Sequence, residues 1–286
     1  MLVAVLAAAL LAAPMDEARA HAMTTRVESE VARLRGLEFR RPVPVHVVDD
    51  AAAREQLMHR LRSLEPLEQI DYTARAYALL GLVPRGSDLL ASVLDVLREQ
   101  AGGFYDPESG AYFLLEDVPP TTAELITAHE LTHALEDQHY DLDRSLREVI
   151  DDDDRAFALD ALHEGSATLL MAAYAAGALA RGQLRAEALA ALDDPEVFPQ
   201  DALRAMPVVL QRQILGPYLL GATFLRGAEP GYPRARVEQA YHARPQSSEQ
   251  ILHPEKYWDP ARRDEPRAVE LPSPEALLGA GWRLVA

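Results

Sequence analysis

The chain carries His129-Glu130-Leu131-Thr132-His133, an H-E-x-x-H pattern that makes chemical sense only on a helix. Residues i and i+4 of a helix lie one above the other, so both imidazoles project from one face. Their Cβ atoms then stand roughly 6 Å apart, which lets two ring nitrogens close on one zinc ion at about 2.0–2.1 Å each. Glu130 is turned about 100° from His129, so it flanks an ion without ligating it. A general base acting on an activated water has to stand there. A chance match on a polar helix face would carry the same residues, so the neighbouring sequence must support the reading.

The neighbours do so. Pro119-Pro120 block helix upstream, Thr121-Thr122 offers a cap, and Glu124 suits the positive helix end. Leu125, Ala128, Thr132 and Leu135 recur at helical spacing and form a face to bury. His129 and His133 fall beside this stripe, at a core margin that a cleft can reach.

A catalytic zinc needs a third protein ligand and an open position. His139 follows His133 at the spacing of the H-E-x-x-H-x-x-G-x-x-H signature, but Glu136 stands where that signature has the Gly that lets the chain bend back. A continuing helix would turn His139 about 240° away from His133. The favoured candidate is Glu164, in Ala161-Leu162-His163-Glu164-Gly165-Ser166-Ala167, within a second helix read over Phe157–Ala180. A carboxylate in so apolar a helix is costly to bury unless it is paired or holds a metal. Asp151–Asp154 form a charged start for that helix, and Gly165, Ser166 and Ala167 leave room for close helix approach. His163 is an alternative ligand or a supporting group, since neighbours about 100° apart do not easily face one ion.

HELTHA at 129–134 resembles the zinc helix of thermolysin-like peptidases. With ALHEGSATLLM at 161–171 and SSEQILHPEKYW at 247–258, the pattern resembles a group of poorly characterised bacterial zincins of the gluzincin type, from about Gly102 to Trp258. The resemblance implies a zincin-like metallopeptidase fold, zinc held by His129, His133 and Glu164, and Glu130 as base. It assigns no role to the third segment.

The chain has 286 residues, 49% of them hydrophobic, which suffices for one large domain or two lobes about a cleft. It has no cysteine, hence no disulfide and no thiolate ligand. A net charge of −17 argues against nucleic acid and anionic membrane surfaces as partners. The resemblance implies a peptide or protein substrate. The apolar run at 1–14, followed by Ala18-Arg19-Ala20 and Ala20-His21-Ala22, reads as a signal peptide over residues 1–22. It is too short for a membrane span, which needs about 20 residues. A secreted or periplasmic protein is expected.

Pro42–Val48 reads as a strand, and Ala51–Leu64, Leu67–Leu80 and Ser87–Glu99 as helices. Gly103–Leu114 reads as a hairpin turning at DPESG, with an edge that could pair with an extended peptide. Ala202–Leu225 reads as helix broken at Gly216-Pro217, Arg234–His242 as helix after Pro233, and 254–274 as an irregular Pro-rich tail. The expected class is α+β, mainly α. Residues 23–286 would form one catalytic domain, with a sheet-bearing upper lobe over roughly 40–140, a helical lower lobe over 141–286, and zinc between them.

The expected activity is peptide hydrolysis, with Glu130 accepting a proton and delivering it to the leaving amine. Tyr218, Tyr241, His242 and His253 are candidates for stabilising the oxyanion, with Tyr218 and His253 preferred. The alternatives are an inactive zincin-like binding module, and a closed structural zinc site using both His139 and Glu164.

Overall fold

The computed structural model describes residues 15–64, 67–100, 102–186, 189, 201–228, 231–269 and 272–282. The β-branched and aromatic segments form a three-stranded sheet of β1 (Val45–Val48), β2 (Gly103–Asp106) and β3 (Ala111–Leu115), in the order β1-β3-β2. β1 runs parallel to β3, with Val45 opposite Tyr112, and β2 runs antiparallel to it, with Tyr105 opposite Tyr112. The Gly102 carbonyl accepts from Leu115 N–H at 3.0 Å, so by alternation the backbone of Gly103 and Tyr105 faces away from β3. Gly103 has no room for a side chain, since a Cβ would stand 2.8 Å from the Phe113 carbonyl.

Thirteen helices are described: α1 (Glu17–Arg35), α2 (Asp50–Leu64), α3 (Leu67–Leu79), α4 (Leu89–Gln100), α5 (Pro120–Tyr140), α6 (Leu142–Arg147), α7 (Asp153–Ala180), α8 (Asp201–Ala205), α9 (Val208–Leu225), α10 (Arg234–His242), α11 (Ser248–Leu252), α12 (Glu255–Trp258) and α13 (Pro274–Leu278). The chain is therefore α+β and mainly α. Among the described residues, no helix is long and apolar enough to cross a membrane.

Three apolar clusters organise the packing. One joins the sheet, α1, α5 and the C-terminal half of α7; a second joins the N-terminal half of α7 to the end of α9 and to α10–α12; a third lies among α3, α4, α8 and the start of α9. In α5 the expected stripe, Leu125, Ala128, Thr132 and Leu135, is wholly inaccessible to solvent. Each buried leucine contributes about 1.5–3 kcal/mol. α7 runs through both larger clusters, with Ala158–Leu162 in the second and Leu170–Ala178 in the first, so Glu164 lies where they meet. α7 and α9 cross backbone to backbone: a Cβ on Gly165 would stand 2.6 Å from the Gly221 carbonyl oxygen.

Residues 1–14 lie outside the described residues, and 18–22 belong to the first turns of α1, where Ala20 is fully buried and Asp16 caps the helix through Arg19 N–H at 2.8 Å. Several sequence expectations change. No threonine caps α5: it starts at Pro120 after Pro119, and the Thr122 hydroxyl is buried without a partner. α9 continues through Gly216-Pro217. Proline disfavours the helical conformation of the preceding residue by clashing with its Cβ, and Gly216 has none. The tail contains α12 before it becomes irregular.

The segment 247–258 proves to be a strap. Ser248 N–H bonds Asp154 at the start of α7 at 2.9 Å, and Trp258 Nε1–H bonds the Phe224 carbonyl at the end of α9 at 2.9 Å. Tyr257 donates to the Ala243 carbonyl beyond α10, and the Arg236 guanidinium lies 4.0 Å from the Trp258 ring centre. It binds together the helices that carry Glu164 and Tyr218.

Candidate metal centre

Helical spacing on α5 puts His129 and His133 side by side, and α7 brings Glu164 against them. His129 Nε2 lies 3.0 Å from Glu164 Oε2 and 3.1 Å from His133 Nε2, and His133 Nε2 lies 3.5 Å from Glu164 Oε2. Two atoms bonded to one tetrahedral zinc at about 2.0–2.1 Å stand roughly 3.3–3.4 Å apart. Two imidazole nitrogens and a carboxylate oxygen at such separations fit a zinc ion by spacing and donor chemistry. Among the described residues they are the one group found of three such side chains able to hold a metal.

Charge accumulates here. Burial opposes a proton on His133, but the Glu164 carboxylate, by charge and hydrogen bond, with Glu130 and Glu136 adding to it, raises the imidazole to about 9. Burial likewise opposes ionisation of Glu164, yet His133 and His129 hold it well below the usual carboxylate range. Glu130 is pushed up by burial, partly offset by the two histidines. Its Oε2 accepts the outward-facing Tyr105 N–H of β2 at 2.8 Å, which ties the sheet edge to the helix beside the ligand set. Tyr105 O–H fastens the same edge again by donating to Asp137 at 2.8 Å.

The other sequence candidates separate by position. Tyr218 reaches the centre: its ring stacks on His129 with centroids 5.8 Å apart, and the charge of Glu164, then burial, then Glu130 and Asp160 hold its proton on. It is 41% exposed, so it reaches solvent beside the candidate ligands. The Gly165–Gly221 crossing, three residues beyond Tyr218, lets α9 come this close. His253 is exposed at the C-terminal cap of α11, and the structure does not bring it to the ligand set. Tyr241 is buried and donates to Glu136 at 2.7 Å, while His242 pairs with Glu238 at 3.1 Å. α5 continues to Tyr140 and carries His139 away, with Nε2 at 2.9 Å from the Glu38 carbonyl. His163 turns to stack on Tyr241 at 5.8 Å. Its Nε2 is buried without a partner, and burial with the His133 charge lowers the ring to about 3.

Sequence reasoning missed three groups. Asp160, one turn before Glu164 on the same face of α7, is exposed, yet desolvation and then the charge of Glu164 push it up to about 7. Its i, i+4 relation to Glu164 was the available signal. Tyr105 contributes a backbone N–H, which no residue type announces. Glu136 forms a fully buried ion pair with Arg35 of α1, Nε to Oε1 at 2.7 Å. The Gly missing at position 136 was visible, but the arginine's partner was not.

Comparison with family models, curated proteins and solved structures finds no match to this chain.

Proposed function

We propose that the protein is a zinc-dependent peptidase of the gluzincin type with a zincin-like fold, in which His129, His133 and Glu164 hold the ion and Glu130 is the general base. The observation that carries this reading is the convergence of three ligand atoms at 3.0, 3.1 and 3.5 Å beside a glutamate that ligates nothing. Zinc, when bound, supplies Lewis acidity that lowers the pKa of a ligated water and polarises a carbonyl. Glu130, its Oε2 held by Tyr105 N–H, takes up a proton on its carboxylate and returns it to the leaving amine. The Tyr218 phenol keeps its proton and donates a hydrogen bond to oxygen as negative charge develops there. The apolar run at 1–14 supports a secreted or periplasmic location as part of the same reading.

The test is hydrolysis of denatured casein by the zinc-loaded protein. Glu130→Gln should retain zinc and fold while losing turnover by at least about a hundredfold, the scale for removing a general base. Undiminished turnover would remove Glu130 from that role, and a zinc-loaded wild type that cleaves no peptide would contradict the peptidase reading.

A further inference from the structure

We propose that Glu136 is a positioning residue for the ion: through Ser166 it sets the separation of α5 and α7 at which His129, His133 and Glu164 share one metal. This rests on the metal reading above and assigns work to a buried group that the proposed reaction does not use.

Glu136 follows His133 by one turn of α5, and Ser166 stands two residues beyond Glu164 on α7. Glu136 Oε1 accepts from Arg35 Nε at 2.7 Å and from Ser166 Oγ at 2.7 Å, and its Oε2 accepts from Tyr241 O–H at 2.7 Å. The donors come from α1, α7 and α10, so one carboxylate fixes α5 against three other helices. Neither Arg35 nor Glu136 has any exposed side-chain surface. Each of the arginine's terminal nitrogens also donates, one to Glu238 Oε2 at 3.0 Å and the other to the Tyr140 hydroxyl oxygen at 3.1 Å. Tyr232 O–H lies 2.7 Å from Ser166 Oγ and completes the network.

A wholly buried ion pair is a poor source of stability, because apolar residues of equal volume often do as well. Its hydrogen bonds are directional, however, and permit one arrangement of the helices where apolar contact would tolerate sliding. A metal site needs its ligands held to within about 0.5 Å. The only other side-chain bond found between α5 and α7 among the described residues, apart from the ligands themselves, is Tyr174 to Glu124 at 2.5 Å, nearly three turns beyond Glu164. The Glu136–Ser166 bond is therefore the tie that governs spacing at the ligands.

The experiment compares wild type, Ser166→Ala and Glu136→Gln in the full chain. Zinc dissociation constants come from competition with a chromophoric chelator, ligand geometry from the visible spectrum of the cobalt(II) form, and stability from thermal unfolding of the metal-free proteins. Both variants should bind zinc about 10–100-fold more weakly, the scale for removing a group that orients ligands, with an altered cobalt spectrum. Metal-free Ser166→Ala should stay folded and unfold a few degrees below wild type, since losing a buried hydrogen-bond partner costs about 1–3 kcal/mol. Wild-type affinity and spectrum in Ser166→Ala would overturn the proposal, and this variant decides the matter should Glu136→Gln fail to fold. A wild-type chain that takes up no zinc would instead contradict the metal reading itself.

Discussion

In the proposed centre, proton and zinc would compete for His133. Without metal its imidazolium persists up to about 9, above the ordinary 6.5, because Glu164 faces it. Below that value an incoming ion must displace a proton, so zinc affinity should rise with pH, by up to about tenfold per unit between about pH 7 and 8.5, and level off above 9. Glu164 is held low and stays ionised across this range, so it adds no slope. Chelator competition at several pH values checks this, and a flat profile contradicts it. Tyr218→Phe removes one hydroxyl, which also bonds the Glu164 carboxylate. It should still take up about one zinc per chain but lower turnover by about a hundredfold, the lower end for losing an oxyanion donor. Unchanged turnover would return Tyr218 to a packing role. At this scale the sequence was legible where function follows local spacing. The i, i+4 pair on α5 and the carboxylate in an Ala-rich α7 both lie where expected. Arg35 was not legible, because an arginine at a helix C-terminus reads as a solvated charge, and only the packing of α1 on α5 shows that it is buried.

Two glycines in α7 make opposite demands. Gly165 meets the Gly221 backbone of α9, so Gly165→Ala must push two main chains apart. The expected loss is about 1–3 kcal/mol or more, the scale of overpacking, with Tyr218 drawn off His129. Gly177 meets only the end of the Arg181 side chain, at 3.0 Å. Gly177→Ala should be neutral or stabilise by up to about 1 kcal/mol, since alanine is the better helix former. Thermal unfolding of the two variants side by side checks the contrast, and equal effects would contradict the crossing geometry. Most elements were readable from apolar periodicity, among them α2–α5, α7 and the hairpin. α9 was read as broken because the proline rule outweighed the glycine that relaxes it.

The proposed ligands come from α5 and α7, and α7 spans the two larger clusters, so metal and fold should be linked across the molecule. An ion bound only by the folded chain stabilises it by about 2.7 kcal/mol at a free concentration one hundred times Kd. For a chain of this size that corresponds to a rise in Tm of roughly 4–5 °C. Chelation should reverse the rise, and an unfolding temperature indifferent to zinc would contradict the linkage. In the proposed centre Glu164, and not His139, completes the ligand set. The most direct test is zinc content per chain in Glu164→Ala and His139→Ala after the same mild chelation. Wild type and His139→Ala should each retain about one zinc, while Glu164→Ala should release it, since a catalytic site needs three protein ligands. Zinc retained by Glu164→Ala and lost by His139→Ala would contradict the account.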